Sequence, residues 1–147
     1  MNIKNMFKNL NVTIQKGTTE QKIIYLEKKY NWILPDFYKK ILIFSDGIEI
    51  EDDVMDIGIS LFGINDLIEW NEEVYKTTQY TPDLLLIGNT GGDEVLGVEQ
   101  KKDSKKKYIY GDAGAVFPGE ESITIIHIEK WFLNGCPMGE ELYKCIY

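Results

Sequence analysis

Apolar residues recur at helical spacing in the N-terminal quarter of the chain. Ile23, Leu26 and Tyr30 lie three and four positions apart, which places them on one stripe of an amphipathic helix. Thr18 and Gln21 precede most of this stripe at the spacing of a capping box, in which each side chain bonds the backbone N–H of the other residue. The pattern therefore predicts a first helix that begins near Thr18.

A second helix is predicted to start at Pro35. Proline fits the first turn of a helix because the N–H group that it lacks has no partner there. Phe37, Ile41 and Phe44 then form an apolar face. Gly47 follows the last of them, and a glycine at this position can adopt the left-handed conformation that often ends a helix.

Beyond these helices the pattern changes to short aliphatic and β-branched runs, which predict strands. We expect strands at 48–50, 59–62, 84–87, 94–100, 106–110 and 122–126, and further helices at 65–77, at 127–134 and after Pro137. Strands and helices occur in runs, without regular alternation. The sequence therefore predicts one α+β domain over residues 1–147, with a mixed, mostly antiparallel sheet and helices packed around it.

Charge is concentrated in one segment of the chain. The net charge is −8, and residues 41–75 contain ten acidic residues and no lysine, while the rest of the chain holds 14 acidic residues against 16 lysines. The chain contains no arginine, the residue whose forked side chain suits phosphate and guanine recognition. An acidic field repels nucleic acid and attracts basic partners. We therefore expect a basic protein as the partner and no binding to nucleic acid.

The acidic segment supplies the candidate binding residues. One group is expected in a loop between two short strands: Glu49, Glu51, Asp52, Asp53 and Asp56. A second group lies three and four positions apart on a helix and is expected to share one face: Glu69, Glu72 and Glu73. Trp70 stands among them and is a candidate interface anchor. The alternatives are that the charges are only solvated and that Trp70 belongs to the core.

No pattern of a membrane or secreted protein is present in the sequence. No apolar run reaches the length needed to cross a bilayer, and residues 1–10 carry no apolar signal region. We therefore expect no membrane association and a cytoplasmic location. Cys136 and Cys145 form no CxxC motif and are expected to be thiols in a reducing compartment.

Sequence motifs for catalysis or cofactor binding are also absent. His127 is the only histidine, and no nucleophile elbow or phosphate-binding glycine loop occurs. The spacing of Asp52, Asp53, Asp56 and Gly58 does not match the order of a calcium-binding EF-hand loop. We expect no catalytic residues, no cofactor and no metal. A small hydrolase that uses paired carboxylates remains an alternative, because their separation cannot be determined from sequence.

Three blocks in order resemble a known superfamily. They are Leu34-Pro35-Asp36-Phe37-Tyr38 running to Ser45-Asp46-Gly47, then Leu84 to Gly88 followed by Gly91-Gly92-Asp93, and finally Ile125 to Leu133. Their order and spacing are similar to those of the SUKH superfamily, also called the Smi–Knr family, over residues 19–133. The chain differs at Asp46-Gly47-Ile48, where the family often has Asn-Gly-Gly.

The resemblance implies a protein-binding function. Bacterial members of this superfamily are immunity proteins that neutralise polymorphic and contact-dependent toxins, often nucleases, and fungal members regulate cell-wall synthesis or act as signalling scaffolds. Neither group shares a catalytic residue set. We therefore expect an immunity protein that docks on a basic toxin domain and occludes it, with a regulatory scaffold as the alternative. Structural roles are expected for Leu34, Pro35, Gly47, Gly91, Gly92 and Trp131.

Overall fold

The strands follow one another across a single sheet in the order of the chain. A computed structural model describes residues 3–7, 11–52, 57–90, 94–100, 108–112 and 123–125. The strands are β1 (Asn11–Ile14), β2 (Ile48–Asp52), β3 (Ile57–Leu61), β4 (Leu84–Thr90), β5 (Glu94–Glu99), β6 (Tyr108–Asp112) and β7 (Ile123–Ile125). Every described neighbouring pair is antiparallel. The predicted α+β fold is confirmed, and so is the predicted hairpin of β5 and β6.

Helices interrupt this meander at two places. The helices are α1 (Ile3–Met6) before β1, α2 (Glu20–Tyr30) and α3 (Asp36–Phe44) between β1 and β2, and α4 (Ile64–Ile68), a π-helix (Glu69–Val74) and α5 (Thr77–Tyr80) between β3 and β4. The predicted helix at 65–77 is therefore a series of three helical segments. The helices predicted at 127–134 and after Pro137 lie outside the described residues.

Helix α2 begins one residue later than the capping pattern predicts. Thr19 is the N-cap, and its side-chain oxygen accepts a hydrogen bond from the N–H of Lys22 at 3.3 Å. Thr18 is buried instead, and its N–H donates to the carbonyl of Leu42 at 2.9 Å. The predicted cap at Thr18 is wrong because the backbone of Thr18 binds the C-terminal turn of α3.

Helix α3 ends as its sequence predicts. It begins at Asp36, directly after Pro35, and Ser45 is its C-cap. Gly47 has a φ of +97°, a conformation that a side chain would strain, so the predicted conformation of this glycine is confirmed. The hydroxyl of Ser45 accepts from the N–H of Gln15 at 2.9 Å and donates to the carbonyl of Gly47. The end of α3 is thereby fixed to the segment that follows β1.

A large part of the core lies on one face of the sheet, and strands β4 and β5 are buried on both faces. Residues of β2 alternate, with Ile48 and Ile50 buried and Glu49 and Glu51 exposed. The strand registers place further buried side chains on the same face as Ile48 and Ile50: Ile59, Leu61, Leu85, Leu96, Val98, Tyr108 and Tyr110. Helix α3 packs over this face, where the ring of Phe37 meets that of Tyr108 edge-on at 6.3 Å between centroids.

Tyr38 carries a buried hydroxyl into this core. The side chain is fully buried, and its O–H donates to the carbonyl of Phe62. Burial raises the pKa of Tyr38 well above its ordinary value, and the carboxylates of Asp46 and Asp66 raise it further. The folded protein therefore holds this proton more tightly than the unfolded chain does.

The free energy of unfolding should fall as pH rises above about 10, the ordinary pKa of tyrosine. There the unfolded chain releases the Tyr38 proton while the folded chain retains it, so each further rise in pH favours unfolding. Urea titrations over a pH series measure this slope. Tyr38→Phe lacks the hydrogen bond to Phe62, so its free energy of unfolding at neutral pH should be about 1 kcal/mol lower than that of the wild type. Its free energy of unfolding should then fall less than that of the wild type as the pH becomes alkaline. Tyr25→Phe, at an exposed position, should keep the wild-type slope of stability against pH. An unchanged slope in Tyr38→Phe would show that Tyr38 is not the cause of the alkaline loss of stability.

Candidate functional site: an acidic strand face and a π-helix

Two carboxylates lie on the face of strand β2 that is exposed to solvent. Glu49 lies between Thr13 of β1 and Ser60 of β3, and its Oε2 accepts a hydrogen bond from Ser60 Oγ at 2.6 Å. Glu51 lies between Asn11 and Gly58 on the same strands, and both glutamates are exposed. We call this surface the acidic strand face; it comprises Asn11, Thr13, Glu49, Glu51, Gly58 and Ser60. Its side chains share one orientation because they occupy alternate positions of paired strands.

The expected loop position is wrong for part of the first acidic group. Glu49, Glu51 and Asp52 belong to β2, which extends to Asp52 because Ile57 of β3 pairs with that residue. The pairing fixes the backbone of these residues, so Glu49 and Glu51 are held in place on a rigid element. Asp53 and Asp56 lie outside the described residues.

The second acidic group lies on a π-helix. The N–H of Tyr75 donates to the carbonyl of Trp70, five residues earlier, at 2.9 Å, which is the bonding pattern of a π-helix. Glu69 and Glu73 are exposed, whereas Glu72 is half-buried and accepts a hydrogen bond from the hydroxyl of Thr78. The three glutamates therefore differ in environment, and Glu69 and Glu73 are the two that face solvent.

Among the described residues, no cation pairs with the exposed carboxylates. Within the described ranges of the chain, no ion pair involves Glu49, Glu51, Glu69 or Glu73. Glu49 and Glu51 are brought together on one strand, and Glu69 and Glu73 on one helical segment. No hydrogen bond or ion pair between described residues joins the first pair to the second. Each pair keeps its negative field available to a partner.

Asn71 fixes the π-helix to the sheet. Its side chain is fully buried. Its Nδ2 donates to the carbonyls of Leu67 (2.8 Å) and Leu86 (2.9 Å), and its Oδ1 accepts from the N–H of Leu86 (2.9 Å) and the hydroxyl of Thr77 (2.6 Å). Strand β3 pairs with β4 only from Gly88 onward. The amide of Asn71 therefore takes the place of a missing strand partner for Leu86.

Sequence reasoning did not identify Asn71. The only signal in the sequence is an amide four residues after the buried Leu67, which places a polar group on the core-facing side of a predicted helix. Its hydrogen-bond partners on β4 lie 15 residues further along the chain. A polar residue at a core position points to a buried network but does not identify the partner.

Trp70 is packed rather than freely presented. Its ring stacks between those of Phe62, at 5.8 Å between centroids, and Tyr75, at 5.4 Å. The side chain is half-buried against the core. This stacking supports the alternative that Trp70 belongs to the core, and its role as an interface anchor stays a prediction.

Other predicted features divide between described and undescribed residues. Leu34 and Pro35 are buried, which fits their expected structural roles. In the part of the chain that the structure describes, no group of three or more His, Cys, Asp or Glu side chains could hold a metal ion, and no helix has the length and apolar character to cross a bilayer. The remaining predicted residues lie outside the described ranges: Gly91, Gly92, His127, Trp131, Cys136 and Cys145.

Comparison with known proteins identifies the family. No curated protein matches the chain. A family model described as the SMI1 / KNR4 family (SUKH-1) matches residues 17–131. The match covers most of the chain and runs from before α2 to beyond β7. On this match, the chain belongs to the SMI1 / KNR4 family (SUKH-1).

Proposed function

We propose that this protein is an immunity protein that binds a toxin domain and blocks access to its active site. The observation that carries the proposal is the acidic strand face, where Glu49 and Glu51 are exposed, held by strand pairing and not neutralised by any described cation. Membership of a family similar to immunity proteins supports a binding function in general. The charge supports a basic partner in particular.

A toxin that cleaves nucleic acid fits this surface chemically. Such an enzyme needs a basic cleft to bind a polyphosphate chain. A carboxylate surface that enters the same field speeds the encounter and disfavours acidic or neutral partners. Because Glu49 and Glu51 project from paired strands, the chain loses little conformational freedom when they bind. The proposed mechanism is therefore occlusion of the basic cleft by a pre-organised acidic surface.

Charge alone does not give high affinity, so the interface also needs apolar contacts. The π-helix and the segment after it supply two exposed apolar side chains, Val74 at 49% exposure and Tyr80 at 67%. Val74 directly follows the exposed Glu73 in the chain. Under the proposal these residues contribute the apolar contacts of the interface, with Glu69 and Glu73 at its rim.

Co-expression with the toxin domain encoded beside the gene tests the proposed function. Cell survival together with co-purification of the two proteins would support the immunity role. Killing despite comparable expression, with no complex, would reject that toxin as the partner. Survival without a complex would contradict neutralisation by binding. Purification of several unrelated partners that are not basic proteins, in place of the toxin, would instead favour a regulatory scaffold.

Reversal of the charge on the acidic strand face should weaken the complex. The double variant Glu49→Lys/Glu51→Lys should raise the Kd at least about tenfold and reduce the dependence of the association rate on salt. Calorimetry or surface-binding kinetics at two salt concentrations measure both effects. The double variant Glu20→Lys/Asp83→Lys reverses two other exposed acids and serves as the matched control. Equal effects of the two variants would show that only net charge matters and would remove the acidic strand face from the interface.

A further inference from the structure

Strand β1 forms one outer edge of the sheet. It pairs with β2 on one side, and no described strand lies on its other side. The family match begins at residue 17, so β1 also lies outside the part of the chain that resembles the family. The acidic strand face ends at this edge, since Asn11 and Thr13 are its outermost members.

The strand register shows which backbone groups face outward. The N–H of Phe62 donates to the carbonyl of Ile87, so two residues earlier on β3, Ser60, also bonds to β4. Hydrogen-bonded and non-bonded pairs alternate along an antiparallel ladder, so the neighbours of Ser60 bond to β2, and the two glutamates of β2 bond to β1. The N–H and C=O groups of Val12 and Ile14 therefore point away from the sheet. Among the described residues, none forms a hydrogen bond with these outward groups.

Among the described residues, this edge has none of the features that usually prevent strand addition. Natural edge strands are blocked by lysine, proline or a β-bulge. The sequence Asn11-Val12-Thr13-Ile14 contains no charged residue and no proline, and its register with β2 is continuous over all four residues. The edge can therefore accept hydrogen bonds from, and donate them to, a further strand.

The two sides of the edge differ in chemistry. On the core side, Val12 is half-buried and Ile14 is 48% exposed, so an added strand would cover apolar surface there. On the opposite side, an added strand would lie next to Thr13 and Asn11 and within reach of the carboxylates of Glu49 and Glu51. A strand that fits both sides has alternating apolar and basic residues.

We propose that β1 binds an extended strand of the toxin, with its apolar side chains over Val12 and Ile14 and its lysine or arginine side chains beside Glu49 and Glu51. This inference rests on the proposed function and specifies how the partner binds: backbone hydrogen bonds to Val12 and Ile14 give affinity, and the alternating side chains give selectivity. A second copy of the chain fits less well. Antiparallel pairing of β1 with β1 would place Glu49 and Glu51 of both copies on one continuous face, where like charges repel.

Amide hydrogen exchange with a synthetic strand tests the inference without the toxin. The probe is a peptide of about six residues, the usual length of a strand, that alternates lysine and valine. It should slow exchange of the Val12 and Ile14 amides at least about tenfold and leave the already bonded Asn11 and Thr13 amides unchanged. A peptide that alternates glutamate and valine should give no protection. Protection at neither amide with the lysine peptide, or equal protection with both peptides, would overturn the inference.

Two variants test the contribution of β1 to binding separately from that of the rest of the surface. Ile14→Pro removes an outward N–H and leaves the hydrogen bonds of Asn11 and Thr13 to β2 in place, so it should remain folded and weaken peptide binding at least about tenfold. Ile14→Lys keeps every backbone group and repels a basic strand, so it gives the same test if the proline variant does not fold. Peptide affinity equal to that of the wild type in a folded variant would contradict the proposal.

The same variants distinguish this inference from the proposed function. If the toxin binds and Ile14→Pro or Ile14→Lys binds it as tightly as the wild type, the immunity role stands and docking through β1 is wrong. If no toxin is found but the lysine peptide protects Val12 and Ile14, the edge is confirmed as a strand-binding site independently of that role. Protection of the same amides that rises with protein concentration alone would assign the edge to a second copy of the chain and reject the toxin strand.

Discussion

Replacement of Asn71 by alanine should lower the free energy of unfolding by about 3 to 5 kcal/mol. The variant removes both donors and the acceptor of a fully buried amide. It leaves the N–H and C=O of Leu86, the carbonyl of Leu67 and the hydroxyl of Thr77 with one partner fewer each. A buried group left without a partner costs about 1 to 3 kcal/mol, and several are affected together. Urea unfolding of the two proteins measures the difference.

Two comparisons make this result specific. Thr77→Val removes the hydroxyl that donates to Asn71 Oδ1 at 2.6 Å and to the Asn71 carbonyl at 3.4 Å, and it should cost about 1 to 2 kcal/mol. Asn65→Ala changes an exposed amide of α4 and should alter stability by less than about 0.5 kcal/mol. A loss in Asn71→Ala no greater than that in Asn65→Ala would show that the network does not hold the π-helix on β4.

Gly17→Ala is expected to destabilise the protein by about 3 kcal/mol or more. A Cβ at position 17 would lie 1.7 Å from the carbonyl oxygen of Ile43, which no side-chain rotation can relieve. The neighbouring residues cannot easily move away. The N–H of Thr18 bonds to Leu42, and the carbonyl of Lys16 accepts from Asp46. The clash must therefore break hydrogen bonds or displace the end of α3, and thermal or urea unfolding measures the cost.

Gly58→Ala is the matched control for this substitution. A Cβ there would lie 3.8 Å from the nearest atom, the carbonyl oxygen of Ile50, which is an ordinary contact. The position is an exposed strand residue, so alanine should be neutral or raise stability by up to about 1 kcal/mol by restricting the unfolded chain. If Gly17→Ala proved as stable as Gly58→Ala, the close approach of Gly17 to α3 would not exist in solution.

Local patterns predicted the elements whose structure depends on local interactions. The spacing of Ile23 and Leu26 predicted α2, and the order of proline, apolar face and glycine predicted α3 and the left-handed Gly47. Strand β1 was not predicted, although its sequence alternates. It has four residues, and its partner β2 lies beyond two helices, so a non-local pairing stabilises it rather than its own propensity.

The candidate site was predictable in charge but not in geometry. The position of the acidic segment was predictable, because the charge of a segment follows directly from the residues in it. The sequence could not show that pairing with Ile57 extends β2 through Asp52. It also could not show that Glu72 is bound by Thr78, whereas Glu69 and Glu73 are exposed. The π-helix likewise depends on Asn71 reaching β4, a tertiary contact that has no helical spacing.

The order of the described sheet has a consequence for folding. Each strand pairs with the strand before it in the chain, so no strand has to insert between two that are already paired. During synthesis, the partner of each new strand has already left the ribosome. The hairpins β2–β3 and β4–β5 need only short loop closures, whereas β1–β2 and β3–β4 close across helices and carry a larger entropy cost. The sheet can therefore assemble by the addition of local hairpins, and the two helix-containing connections set the slowest steps.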